Sequence, residues 1–220
     1  MSAPLLDVAV LASGRGSNFA ALVAATRAGT CRARIVGLIS DNPDAGALAI
    51  AEEAGIETTV VERSSFRTRA LWNEGVRDAI QELRPSLVVL AGFMRIIGPA
   101  ILAAFPDRII NIHPSLLPAF PGLHAPQQAI DAGVRVTGCT VHRVDEGVDT
   151  GAILAQGAVV VLPTDDADML HARLQRIEHH LLPAVVNMLG GGDTNPANPE
   201  ADLISLLPSP LPTVSLESER

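Results

Sequence analysis

Five short apolar runs, rich in branched residues and separated by stretches with helical signals, constrain this chain more than any other feature. The runs cover residues 7–12, 32–40, 57–61, 87–91 and 108–112. Helical signals lie between them at 19–28 and 45–54, from a cap at Ser64 or Ser65 to Leu83, and at 99–104. Such alternation makes consecutive strands parallel, with helices as the crossovers. Run 87–91, bounded by Pro85 and Gly92, has no polar alternation, as expected of a strand buried on both faces. The expected fold is α/β: a mainly parallel, doubly wound, Rossmann-like sheet with helices on both faces. A short helix at 127–132 and two longer runs, 135–144 and 152–161, add an antiparallel C-terminal part.

Apolar spacing orients the helices. Leu71, Val76, Ile80 and Leu83 form an approximate stripe on the third. The last helix, capped by Asp165, carries Met169, Leu170, Leu174, Ile177, Leu181, Val185 and Met188, and Pro183 predicts a kink in it. From Gly190 the composition turns to glycine and proline. The reading is one domain over 1–190 and a linker-like tail over 191–220.

The chain has 220 residues, 48% of them hydrophobic, enough to bury a substantial core. A formal net charge of -8 argues against a general grip on nucleic acid, although backbone N–H groups can still bind one small anion. No stretch approaches the roughly 18 apolar residues of a membrane span. The N-terminus has no basic region, and Asp7 interrupts its apolar run, so no secretory signal is read. Cys31 and Cys139 lack metal-ligand spacing and read as two reduced thiols of a cytoplasmic protein.

Two segments carry chemical signals. Ser13-Gly14-Arg15-Gly16-Ser17-Asn18 joins the first strand to the first helix, where unpaired N–H groups can receive an anion. A purely structural turn is the plain alternative. A dinucleotide site is the functional rival: Gly14 and Gly16 suit it, but Phe19 stands at the third glycine position; Asp41 could then hold a ribose. A single-phosphate site fits better. The second segment is Asn111-Ile112-His113-Pro114-Ser115-Leu116-Leu117-Pro118, with Asp149 downstream. Side chains two apart on a strand share a face, so Asn111 and His113 project together where the strand ends. An amide, an imidazole and a carboxylate can stabilise an oxyanion and move a proton, which is equipment for acyl transfer. On pattern alone, Asn111 also suits a strand-end cap, His113 a structural histidine and Asp149 an ordinary turn.

Taken together these motifs resemble a known family. With Leu90-Ala91-Gly92-Phe93-Met94-Arg95-Ile96, Pro121-Gly122-Leu123-His124, Gly138-Cys139-Thr140-Val141-His142 and Asp149-Thr150-Gly151, the chain is similar to the folate-dependent phosphoribosylglycinamide formyltransferases over about 7–190. The resemblance implies formyl transfer from 10-formyltetrahydrofolate, a cosubstrate, to the amine of phosphoribosylglycinamide in purine synthesis, with no metal. It implies Asn111, His113 and Asp149 as the catalytic set. Gly16, Ser17 and Asn18 map to the phosphate loop, and Gln175 and Glu178 to substrate-binding positions. Met94, Arg95, Ile96 and Ile97 map to the folate segment, Asp149 also borders the folate, Arg69 lies near its glutamate tail, and His142 lies near the cleft. Without the resemblance, Met94 and the isoleucines read as core, and Gln175 and Glu178 as a solvated helix face. The implied partners are small molecules, with neither nucleic acid nor membrane, and the chain is expected to be a monomer or homodimer. Ala125-Pro126-Gln127 departs from members with more polar residues there, and the tail has no clear counterpart.

Other functions suit parts of the pattern. A 10-formyltetrahydrofolate deformylase would carry an N-terminal regulatory domain, for which a first strand near residue 7 leaves no room. A methionyl-tRNA formyltransferase would need a basic C-terminal domain. A non-catalytic nucleotide sensor would keep the glycine loop but have no use for Asn111, His113 and Asp149 together. A dehydrogenase is the least supported.

Overall fold

The computed structural model describes residues 4–192 and the backbone of 204–206. Eight strands form one sheet: β1 (Leu6–Leu11), β2 (Ala33–Ser40), β3 (Thr58–Val60), β4 (Leu87–Leu90), β5 (Ile109–His113), β6 (Val136–Arg143), β7 (Ile153–Val160) and β8 (Ile204–Leu206). They lie in the order β3-β2-β1-β4-β5-β6-β7-β8. The first five are parallel and the last three pair antiparallel. The mainly parallel sheet with an antiparallel C-terminal part agrees with the sequence reading. The expected tail, 191–220, falls largely outside the described residues; β8 lies within it and pairs with β7 at the sheet edge.

Among the described residues, six α-helices cover the sheet: α1 (Ser17–Arg27), α2 (Gly46–Ala54), α3 (Arg69–Glu82), α4 (Pro99–Ala104), α5 (Ala125–Asp131) and α6 (Ala167–Leu189). Strand residues alternate between two cores, as a period of two requires. Val8, Val10, Val89 and Ile110 pack with Phe19 and Leu22 of α1 and with Ile177, Leu181 and Val185 of α6. Ala9, Leu11, Val88 and Ile109 pack on the other face with Trp72, Val76 and Ile80 of α3 and Ile101 of α4. The central strands are apolar throughout because both faces are covered.

Four local expectations are corrected. Ser64 and Ser65 do not cap α3; they lie in a 3-10 turn, Arg63–Ser65, after which Phe66 is extended and ends it. Thr68 is the cap, accepting from the Leu71 N–H. The buried stripe is Trp72, Val76, Ala79 and Ile80, while Leu71 is exposed. On α6 the cap is Asp166, accepting from the Met169 N–H, because Asp165 is taken by Arg173 and by the Leu162 N–H. Met169 is exposed, whereas Leu170, Leu174, Ile177, Leu181 and Val185 are buried. Pro183 lies inside α6.

Candidate active site

The strand order places β1 between β2 and β4. The chain leaves β1 toward one side and later returns to the other, which opens a crevice at the strands' C-terminal ends. The register shows what borders it. Leu11 pairs with Leu90, Leu90 with Asn111, and Asn111 with His142 across four strands. The glycine loop starts just past Leu11, the 92–97 segment just past Leu90, and His113 ends β5. With about 4.8 Å between strands, the loop after β1 stands about 10 Å from the end of β5.

Gly16 is the N-terminal cap of α1 at φ 80, with no side chain closing the helix end. A Cβ there would sit 2.7 Å from the Ala47 Cα, so only glycine fits. The first N–H groups of α1 have no intrahelical acceptor and face the crevice with the positive end of the helix. Asn18 Nδ2 donates to Glu178 Oε2 at 2.8 Å, and Gln175 Nε2 makes a long contact with Ser17 Oγ at 3.4 Å. Ser17, Asn18, Gln175 and Glu178 are thus brought together, and the solvated-face reading fails because Glu178 is buried. Burial pushes the Glu178 carboxyl above its ordinary pKa, opposed by the Asn18 amide. His171, not singled out from sequence, contacts Gln175 at 3.1 Å from one turn away. Burial and the Arg15 charge lower its pKa, with Asp168 opposing.

Gly92, at φ 77, turns the chain off β4 into the 92–97 segment. Met94 and Ile96 are 65% and 56% exposed, so they are not core and are free to wall a ligand. Ile97 is 7% exposed and packs in the α3-side core; its side chain belongs to the scaffold. Arg95 pairs with the buried Asp41, and Arg69 donates to the Ile96 carbonyl at 3.3 Å. Trp72 stacks on Phe93 beneath the segment, with ring centroids 6.3 Å apart. Arg63, Arg69, Trp72, Met94, Arg95 and Ile96 line a cleft of about 280 Å³. Its apolar wall and three guanidiniums suit a flat ring carrying an acidic extension.

Asn111, His113 and Asp149 converge. Asp149 Oδ2 lies 3.4 Å from His113 Nδ1, and its Oδ1 lies 3.5 Å from His142 Nε2. His113 Nε2 is 2.9 Å from the Phe120 carbonyl oxygen. A carbonyl only accepts, so Nε2 carries the hydrogen and Nδ1 faces the carboxylate. A neutral ring would aim a lone pair at Asp149; the imidazolium donates from both nitrogens. His142 Nδ1 likewise donates to the Arg143 carbonyl at 2.8 Å, leaving Nε2 to accept from Asn111 Nδ2 at 3.2 Å. That bond leaves the second Asn111 N–H to point elsewhere. Nε2 also lies against Asp149 Oδ1, to which it donates when the ring is protonated, so this nitrogen serves the amide in one state and the carboxylate in the other. Burial alone would raise the Asp149 pKa; the nearby His142, the Gly122 N–H at 2.8 Å and the His113 charge outweigh it and hold it low.

Asp149 adopts φ 56 and Phe120 φ 55, left-handed conformations uncommon outside glycine. Among the described residues, no group of three or more His, Cys, Asp or Glu side chains could hold a metal ion, and no helix is long and apolar enough to cross a membrane.

Doubly wound topology, a helix terminus open to an anion and a convergent amide, imidazole and carboxylate describe a group-transfer enzyme of the Rossmann-like kind. Residues 6–186 match the formyl transferase family, and the chain belongs to it. A Bacillus subtilis phosphoribosylglycinamide formyltransferase is 42% identical over 183 residues, covering 83% of this chain and 94% of that protein. The trifunctional purine biosynthetic protein adenosine-3 of Drosophila melanogaster is 45% identical over 187 residues, covering 84% of this chain; the chain spans only 14% of that protein's length. Among solved structures, glycinamide ribonucleotide transformylase 1 from Symbiobacterium toebii superposes with a TM-score of 0.84 at 40% identity, covering 85% of this chain and 88% of that one.

Proposed function

We propose that the protein transfers a formyl group from 10-formyltetrahydrofolate to the amine of phosphoribosylglycinamide, a cytoplasmic step of purine synthesis. The observation that carries this reading is the convergence of Asn111, His113 and Asp149, with 3.4 Å between imidazole and carboxylate, beside a phosphate-type helix terminus. The substrate phosphate binds the N–H groups at Gly16, Ser17 and Asn18. Glu178 and Gln175 meet the ribose and glycinamide part. The folate lies along 94–97, with Arg69 and Arg95 toward its acidic tail. The fit rests on the exposed Met94 and Ile96 and the cationic lining of the cleft.

The amine attacks the formyl carbon, and the carbonyl oxygen gains the negative charge. The free Asn111 N–H donates to that oxyanion, worth roughly 10²–10³ in rate, and the His113 imidazolium, its two N–H groups directed at Phe120 and Asp149, stabilises it by its charge. Asp149, held ionised beside His113 Nδ1, accepts the proton that the ammonium loses. As the tetrahedral intermediate collapses, the donor nitrogen leaves and takes up one proton, which balances the one released. Phe120 and His142 hold the imidazole and the amide in the required orientation.

The test follows tetrahydrofolate formation with and without phosphoribosylglycinamide, for wild type and His113→Ala. Turnover that needs the amine and collapses in the variant supports the reading. Formate release without the amine would show a deformylase instead, and an inactive folded wild type would sink the proposal.

A further inference from the structure

The two ligand-binding loops are tied together through one residue. Ser13 is the first residue past Ala12 at the end of β1. Its N–H donates to the Gly92 carbonyl at 3.1 Å, and its Oγ accepts the Met94 N–H at 2.9 Å. Its own carbonyl accepts from Asn42 Nδ2 at 3.2 Å, which anchors it to the loop after β2. The next residue, Gly14, accepts the Ala47 N–H at the start of α2. The rest of the 92–98 segment hangs on elements that do not enter the phosphate loop. Asp41 holds Arg95, Arg69 reaches the Ile96 carbonyl, and the buried Asn73 side chain accepts the Gly98 N–H at 3.0 Å. These anchors fix the middle and the end of the segment. Its beginning, where Gly92 reverses the chain, is fixed from the glycine loop.

The hydroxyl is the part that matters. Ser13's backbone bonds would survive replacement by alanine, and so would the course of the glycine loop. The Met94 N–H would lose its acceptor, and the peptide after Phe93 could then rotate about the positive-φ turn at Gly92.

We propose that Ser13 is a positioning residue: through its side-chain oxygen it sets the folate segment in register with the phosphate loop, and thereby sets the distance between the two substrates. This rests on the formyl-transfer reading above.

The test compares wild type, Ser13→Ala and Ser13→Thr in the full formyl-transfer assay, with both substrates varied and melting temperature recorded. Ser13→Ala should raise the KM for 10-formyltetrahydrofolate about threefold to tenfold, the span of one lost hydrogen bond. The KM for phosphoribosylglycinamide should stay within about twofold, since that ligand meets backbone N–H groups that remain. Ser13→Thr keeps the hydroxyl and should restore the folate KM. A purely structural role would instead lower the melting temperature and shift both KM values in parallel. That outcome, an unchanged folate KM in Ser13→Ala, or a threonine variant that behaves like alanine would overturn the proposal. An inactive wild type would refute the formyl-transfer reading itself and is distinguishable from each of these.

Discussion

Replacing Asp149 by Asn separates charge from shape at the centre of the site. Asparagine tolerates the left-handed φ of 56, so the turn should persist. Its amide oxygen can still accept the Gly122 N–H now bonded at 2.8 Å. What disappears is the negative charge 3.4 Å from His113 Nδ1. At an effective dielectric of about 20, Coulomb's law gives about 5 kcal/mol for two unit charges at that separation. Relaxation and water entry recover part of it, leaving a loss of roughly 2.7–4 kcal/mol, or 10²–10³ in kcat. The assay is steady-state tetrahydrofolate release at neutral pH, with binding of both substrates measured separately by calorimetry. The expected result is a collapse of kcat with both dissociation constants within a few-fold of wild type. Turnover within tenfold of wild type in the folded variant would refute the charge argument. Parallel loss of turnover and of both affinities would mean that the turn, not the charge, had been disturbed.

Glu178→Gln should stabilise the fold at neutral pH while weakening the phosphoribosyl substrate. The Glu178 carboxyl has a raised pKa in the folded state, so folding favours its neutral form and the native state loses stability as pH rises past the ordinary carboxylate value. The glutamine variant should therefore melt a few degrees higher at pH 7 and no higher at pH 4, which calorimetry at the two values would check. Asp149 has the opposite sign: its folded pKa is lowered, so its contribution is present above the ordinary carboxylate pKa and fades as pH falls through the folded value. Urea melts of wild type and Asp149→Asn should converge below about pH 4. Gly16→Ala places a Cβ 2.7 Å from the Ala47 Cα at φ 80, and should weaken the phosphate-bearing substrate at least about tenfold while sparing folate binding. Thr68→Ala removes the cap of α3 and should cost about 1 kcal/mol, read as a melting temperature lower by about 2–4 °C, with no change in kcat.

Apolar runs alternating with helical stretches made the sheet legible, and the two-residue repeat of a strand gave the shared face of Asn111 and His113. The parallel direction of the first five strands followed from the alternation of runs and crossovers, while their order in the sheet did not. Other features are invisible to pattern reading for identifiable reasons. The Phe120 carbonyl and the Gly122 N–H belong to the main chain, so no residue type announces them. His142 faces Asn111 only because the β5–β6 register pairs them, and no residue type announces that register. Asp41 suits a ribose in the rival dinucleotide reading, yet it serves as the counter-ion of Arg95. The helix stripes hold except at their first positions: Val76 and Ile80 on α3 and Leu170, Leu174, Ile177, Leu181 and Val185 on α6 are buried as expected, while Leu71 and Met169 are apolar neighbours left in solvent beside the buried Trp72 and Leu170. Serines before an apolar run resemble a cap, but Phe66 adopts an extended conformation and moves the helix start to Thr68.

The placement of strain and of buried charge supports the location of the site independently of any motif. Phe120, His124 and Asp149 are three of the five non-glycine residues with positive φ among the described residues, and all three lie in the loops around His113. Each such conformation costs on the order of 1 kcal/mol or more and persists only where surrounding contacts enforce it. Two of them aim polar groups at His113: the Phe120 carbonyl at Nε2 and the Asp149 carboxylate at Nδ1. Glu178 adds a buried carboxylate opposite the open end of α1. Stability alone would favour glycine or asparagine at the turns and an uncharged residue at 178. Asp149 and Glu178 put a carboxylate where a small reacting molecule needs one, and the Phe120 carbonyl orients the imidazole beside it. The stability given up and the chemistry gained thus fall on the same few residues, as a site held against local preference requires.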